Sequence, residues 1–183
     1  MLIIVEGPDG AGKSTLVKRL MDAVLAHSPD EKLDILHAGP PTKHPFDEYE
    51  TPLQDYQPGT QRTVICDRWH LGEAVYPNVL GRHTRWSHAV SQHIETFLCN
   101  LGAIVIYMEP PLPLLIARLT ARGDDLIAPH QLREIIAGYD FVIRQSMLPV
   151  LRYSKQVDDF DIMNIIRIAR RHEIGRTMGS DHD

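Results

Sequence analysis

The sequence predicts an α/β fold, a parallel sheet covered by helices on both faces. Short apolar runs alternate with amphipathic helical stretches along the chain. The first run, Leu2-Ile3-Ile4-Val5, leads straight into a glycine turn and then into a helical pattern at Leu16, Val17, Leu20 and Val24. The 183 residues, 43% hydrophobic and 23% charged, have the length and balance of one ordinary globular domain. That domain is expected to span 1–172.

The elements follow in order. Strands are predicted at 2–6, 33–37, 62–66 and 103–108, with a weaker fifth near 154–158. Helices are predicted at 13–27, 71–80, 86–101, 111–122, 130–148 and 160–172. Pro110, Pro111 and Pro113 open the fourth of these, where a missing N–H costs nothing. The stretch 39–61 holds Pro40, Pro41, Pro45, Pro52 and Pro58 with Phe46, Tyr49 and Tyr56 between them. A loop this long in a small domain is usually functional. It follows the second strand, at the end of the sheet where open α/β folds bind ligands, so it is read as acceptor-side lining with a short helix at 45–50. Residues 173–183 are polar and expected to fray.

Residues 7–14, Gly7-Pro8-Asp9-Gly10-Ala11-Gly12-Lys13-Ser14, complete the G-x-x-x-x-G-K-[ST] phosphate loop. The glycines let several N–H groups turn inward around an anion, and the helix start at Lys13 adds its positive dipole end. This assigns Gly7, Asp9, Gly10, Ala11, Gly12, Lys13, Ser14 and Thr15 to a nucleoside triphosphate, with ATP the expected donor. Lys13 would reach the β/γ-phosphates, and Ser14 would ligate Mg²⁺.

A phosphate loop alone does not separate a kinase from a motor or a sensor. Asp67-Arg68-Trp69, directly after the third strand, is more informative. Asp67 at a strand end beside the loop suits Mg²⁺ or its waters, and Arg68 can fork onto an acceptor phosphate. Arg118 and Arg122 lie four apart on one helix face, placed to offset charge on a transferring phosphoryl group. Gly123-Asp124-Asp125 opens a short lid candidate at 123–130.

The formal charge of −5 argues against a nucleic-acid surface. No apolar stretch reaches the roughly 18 residues that span a bilayer. Cys66 and Cys99 lack metal spacing and are expected as buried thiols, and the histidines show no HExxH pair. A cytoplasmic, membrane-free protein is the expectation.

The run from Val5 and Glu6 through Thr15 is similar to the start of thymidylate kinases. Asp67-Arg68-Trp69 resembles that family's Asp-Arg-aromatic motif, Tyr76 falls where its downstream tyrosine stands, and Leu115–Gly123 resembles the segment leading into its lid. The similarity runs in order over 2–145. It implies a three-layer nucleoside-monophosphate-kinase fold with a five-stranded parallel sheet, and transfer of the ATP γ-phosphoryl to a deoxynucleoside monophosphate, dTMP first. It further implies that Asp9 approaches the acceptor sugar hydroxyl, Arg68 grips the acceptor phosphate, and Tyr76 lines the sugar and base pocket; Trp69 is an acceptor-binding candidate that either stacks on a base or fills core space. The resemblance also suggests a homodimer, for which the apolar face of 86–101 is a candidate. Gly72 and Pro77 replace the serine and glutamine the family keeps near the base, and neither can hydrogen-bond thymine. The family's loop or lid arginine is missing, so Arg118, Arg122 or Arg133 must substitute.

Other readings remain open. A deoxynucleoside kinase would need a carboxylate base, for which Glu6 or Asp67 could serve. A kinase of polynucleotide ends or modified DNA bases, and a non-enzymatic nucleotide-binding module, are the others.

Overall fold

The computed structural model describes residues 1–123 and 127–179, with side chains described through Glu173. Five strands, β1 (Leu2–Glu6), β2 (Lys32–His37), β3 (Arg62–Asp67), β4 (Ile104–Met108) and β5 (Val150–Tyr153), form one parallel sheet in the order β2-β3-β1-β4-β5. The described helices are α1 (Lys13–His27), α2 (Pro45–Tyr49), α3 (Tyr76–Leu80), α4 (His88–Asn100), α5 (Leu112–Arg122), α6 (Pro129–Gln145) and α7 (Asp159–Gly179).

Strand side chains alternate between two cores. Leu2, Ile4, Val64, Cys66, Val105 and Tyr107 pack with Ile94 and Leu98 of α4 and Ile135, Tyr139 and Ile143 of α6. Ile3, Val5, Ile65, Ile104 and Ile106 pack on the opposite face with Leu16, Val17, Leu20 and Val24 of α1, and with α5 and α7. Burial on both faces explains why the central strands read as unbroken apolar runs. β1 lies between β3 and β4, so the chain leaving it enters the crevice at the carboxyl end of the sheet.

Several boundaries differ from those expected. The fifth strand is Val150–Tyr153, not 154–158: Val105 donates to Pro149 O and Glu109 to Tyr153 O, each at 2.9 Å, and Leu151 and Tyr153 pack on the core. The helix predicted at 71–80 is a 3₁₀ turn at Leu71–Ala74 followed by α3, because Pro77 has no N–H to continue one helix. Helix α7 passes 172 and runs to Gly179, so the segment expected to fray is helical through that point. Glu173 within it is buried, paired with the Met1 ammonium at 3.0 Å and accepting from Tyr56 Oη at 2.8 Å.

The loop 39–61 divides in two. Its second part turns away from the expected acceptor side: Tyr49, Leu53 and Tyr56 fill core space. Aromatic bulk decides this, since each such side chain removes a large apolar area from water. The apolar side of α4 is likewise used within the chain, through Ile94 and Leu98, so that face is not a free dimer surface. Cys66 is buried, but Cys99 is only half-buried, against the expectation for both. Among the described residues no helix is long and apolar enough to cross a membrane.

Candidate active site

The phosphate loop wraps the carboxyl end of β1. Gly7 has φ 142°, and a Cβ there would lie 2.3 Å from Met108 O, so only glycine lets β4 pass this close. Gly12, at φ 94°, turns the chain into α1. Lys13 is 4% exposed and folds back to donate to Gly7 O and Pro8 O, both at 2.7 Å. Burial, and then the neighbouring Arg68, pull its pKa down to about 8, against the pull of Asp9, Glu6 and Asp67. Arg118 of α5 donates from Nη1 to Gly10 O at 3.0 Å and Ala11 O at 3.4 Å, so its guanidinium lies against the loop.

Ser14 Oγ donates to Asp67 Oδ2 at 2.7 Å, which joins the first turn of α1 to the end of β3. Asp67 Oδ1 is buried without a hydrogen-bond partner, and His37 Nδ1 lies 3.7 Å from Oδ2. A hydroxyl oxygen beside a carboxylate with an orphaned oxygen fits a hard divalent cation such as Mg²⁺. No cluster of three His, Cys, Asp or Glu side chains suited to a metal exists among the described residues. A cation here would therefore depend on substrate phosphates and water for its remaining ligands.

On the other side of the loop lies a cavity of about 340 Å³. Arg68 enters it from a left-handed backbone, φ 66°, unusual for a non-glycine residue, with its N–H bonded to Val5 O at 3.0 Å. Its guanidinium pairs with Asp9. Burial alone would raise Asp9, but Arg68 and Lys13 outweigh it and hold the carboxyl below the usual range. Asp9 N–H donates to Tyr76 Oη at 3.1 Å.

Glu6 is fully buried at the end of β1. Its Oε1 accepts from the N–H groups of Trp69 (2.8 Å) and Leu71 (3.2 Å), and its Oε2 from Tyr139 Oη (3.1 Å). It therefore braces the Asp-Arg-Trp turn. Beneath the turn, His70 Nε2 meets Glu95 Oε1 at 2.8 Å. Trp69 is 4% exposed, edge-on to Tyr49, and forms part of the cavity wall.

The sequence-assigned residues thus meet at one end of the sheet: Lys13, Ser14, Asp67, Arg68, Asp9, Trp69, Tyr76 and Arg118. Thr15 is exposed in the first turn of α1. Arg122 and Arg133 are exposed and, among the described residues, make no hydrogen bond to the loop. Of the lid candidate, Asp124, Asp125 and Leu126 lie outside the described residues; Ile127 reaches the cavity. Sequence reading missed Tyr139, Glu73 and Arg82 in the cavity wall. Tyr139 carried a signal, a hydroxyl within the buried stripe Leu132, Ile135, Tyr139, Ile143 of α6. Glu73 carried another, a carboxylate within an otherwise apolar turn. Of the loop 39–61, only Gly39 and Pro40 line the cavity.

A family model described as RNA helicase matches residues 3–54, which hold β1, the phosphate loop and α1 and amount to under half of the chain. No curated protein sequence matches the chain. Among solved structures, the YorR protein of Bacillus subtilis, in complex with phosphorylated GDP, superposes with TM-score 0.74 at 21% identity, over 92% of this chain and 95% of that one. A deoxyadenosine kinase of M. mycoides with the products dCMP and dCDP gives TM-score 0.56 at 18% identity, over 93% and 99%. Polyphosphate kinase 2 of Arthrobacter aurescens TC1 gives 0.61 at 16%, over 99% and 68%. At these identities the shared property is the fold, a three-layer P-loop architecture with helices on both faces of a five-stranded parallel sheet.

Proposed function

We propose that this protein is an ATP-dependent kinase that transfers the γ-phosphoryl group to a deoxynucleoside monophosphate. The observation that carries the reading is the state of the carboxylates at the reacting end. Glu6 is committed to three donors, Asp9 is paired with Arg68 and its basicity is lowered, and Asp67 accepts from Ser14 through Oδ2, its Oδ1 having no partner among the described residues. Glu6 and Asp9 are thus poorly placed to deprotonate a sugar hydroxyl, which favours an acceptor that brings its own anion. A phosphate does so at neutral pH, and Arg68 stands where it would be gripped.

In this reading the loop N–H groups and the α1 N-terminus bind the triphosphate, and Lys13 exchanges its two carbonyl partners for phosphate oxygens. Ser14 and Asp67 would hold Mg²⁺, which when bound offsets charge on the phosphates. Arg68 aligns the acceptor, and Asp9 fixes Arg68 and can reach the sugar. Arg118, with Arg122 as the other candidate, would offset charge on the transferring group. Catalysis is then mostly positioning and charge stabilisation. The kinases among the structural neighbours support the reaction class, and the deoxyadenosine kinase among them makes nucleoside phosphorylation the second reading, with Asp67 as its candidate base.

The test is an ADP-release assay with ATP and Mg²⁺, offering each deoxynucleoside monophosphate and each parent nucleoside. Turnover with monophosphates and none with nucleosides is expected. Nucleosides phosphorylated faster than monophosphates would sink the reading.

A further inference from the structure

We infer that Glu73 and Arg82 read the acceptor base, and that the site takes a base carrying an exocyclic amino group in preference to thymine. The inference rests on the kinase reading above and names the acceptor within it.

The acceptor cavity has two ends. Asp9 and Arg68 line it alone, whereas Glu73 and Arg82 line both it and an adjoining cavity of about 330 Å³. Glu73 and Arg82 therefore form the wall where the two spaces meet, away from the phosphate end. A monophosphate anchored at Arg68 presents its base to that wall.

The residues that stand in place of the family's base-reading serine and glutamine offer no side-chain hydrogen bond. Gly72 has no side chain, and a Cβ there would already lie 3.3 Å from Tyr139 Oη. Pro77 lines only the adjoining cavity and has no donor. Tyr139 Oη donates to Glu6 and Tyr76 Oη accepts from Asp9 N–H, so both hydroxyls are already oriented toward the loop and β1. Glu73 is 7% exposed, and Arg82 Nε is buried without a hydrogen-bond partner. Burial raises the Glu73 pKa, while Arg82 and a hydrogen bond from Thr84 pull the other way. The cavity wall thus offers an acceptor, Glu73, and a donor, Arg82, near enough to interact electrostatically.

A carboxylate only accepts and a guanidinium only donates. An amino-bearing base offers the complement: an N–H₂ for Glu73 and an adjacent ring nitrogen or carbonyl for Arg82. Cytosine, adenine and guanine all present such an edge. Thymine presents one N–H between two carbonyls, so a carboxylate that accepts its N–H turns its second oxygen toward a carbonyl. Sites built on buried polar partners penalise such mismatches heavily, because a desolvated group is left unpaired.

The experiment measures kcat/KM and equilibrium binding for dAMP, dCMP, dGMP, dTMP and dUMP, in the wild type and in Glu73→Gln. The best amino-bearing substrate is expected to exceed dTMP by about 10²-fold or more. Glu73→Gln, whose amide both donates and accepts, should shrink that ratio by about 10-fold or more while ATP affinity stays unchanged. A structural role alone would lower all substrates together and leave the ratio alone. If dTMP is the best acceptor of the wild type, or if the ratio survives Glu73→Gln, the inference is overturned and the kinase reading stands. If no deoxynucleoside monophosphate binds or reacts, both fall. The wild-type panel decides the point even if the variant fails to fold.

Discussion

In the proposed kinase reading, the two halves of the site are built on different principles. The donor half is largely one contiguous segment, residues 7–15, completed by Asp67 and Arg118, and its anion-binding groups are backbone N–H groups shaped by glycine. The acceptor half collects Asp9, Arg68, Glu73, Tyr76, Arg82 and Tyr139 from the loop after β1, the turns after β3, the start of α3, the loop after α3 and the middle of α6. In the donor half spacing along the chain carries the chemistry. In the acceptor half side chains that meet across the fold carry it: Arg68 is paired with Asp9, Tyr76 accepts from the Asp9 N–H and Tyr139 donates to Glu6.

The sharpest break between the halves comes from two substitutions. Lys13→Ala and Arg68→Ala should each lower turnover by about 10²-fold or more. Calorimetric titration should separate them: Lys13→Ala weakens ATP, while Arg68→Ala leaves ATP within a few-fold and abolishes monophosphate binding. Equal loss of ATP in both would mean that the halves are one site.

The buried Lys13 gives the donor half its own pH signature. Its folded pKa is about 8 and its unfolded value about 10.5, so the unfolded chain holds more protons between them. Stability from this group is therefore lowest below about pH 8 and rises with pH across that window. Lys13→Met should remove the rise and stabilise the nucleotide-free protein at pH 7 by at most about 3 kcal/mol, less the two lost hydrogen bonds. Thermal melts from pH 7 to 10 on both proteins check this; a wild-type Tm that falls steadily across that range, in parallel with the variant, would contradict it.

The smallest effect lies in the acceptor half. Arg68 holds a left-handed backbone at φ 66°, so Arg68→Gly should be more stable than Arg68→Ala by about 1 kcal/mol. Melting the two variants side by side checks it, and equal stability would mean that the turn carries no strain.

The same contrast explains what could be read from the sequence. Periodicity located the central strands, and G-x-x-x-x-G-K-S located the donor half, because both are local patterns. Asp67 and Arg68 were legible from their place after a strand. Glu73 and Arg82 were not, since nothing local says that a turn after β3 and the loop after α3 share a cavity wall. Glu6 was legible as an acid near the site but not as a brace, a role that depends on N–H groups more than sixty residues away. Tyr49 and Tyr56 looked like ligand-side aromatics and fill core instead. The fifth strand was misplaced because its pairing with β4, and not its own composition, sets its limits.

The most direct measurement places ATP, Mg²⁺, a deoxynucleoside monophosphate and its parent nucleoside together in one tube with the protein and follows the products by ³¹P NMR. A diphosphate growing from the monophosphate, with no new monophosphate from the nucleoside, is the predicted result. New monophosphate formed from the nucleoside would contradict an acceptor half built around Arg68 for an anion.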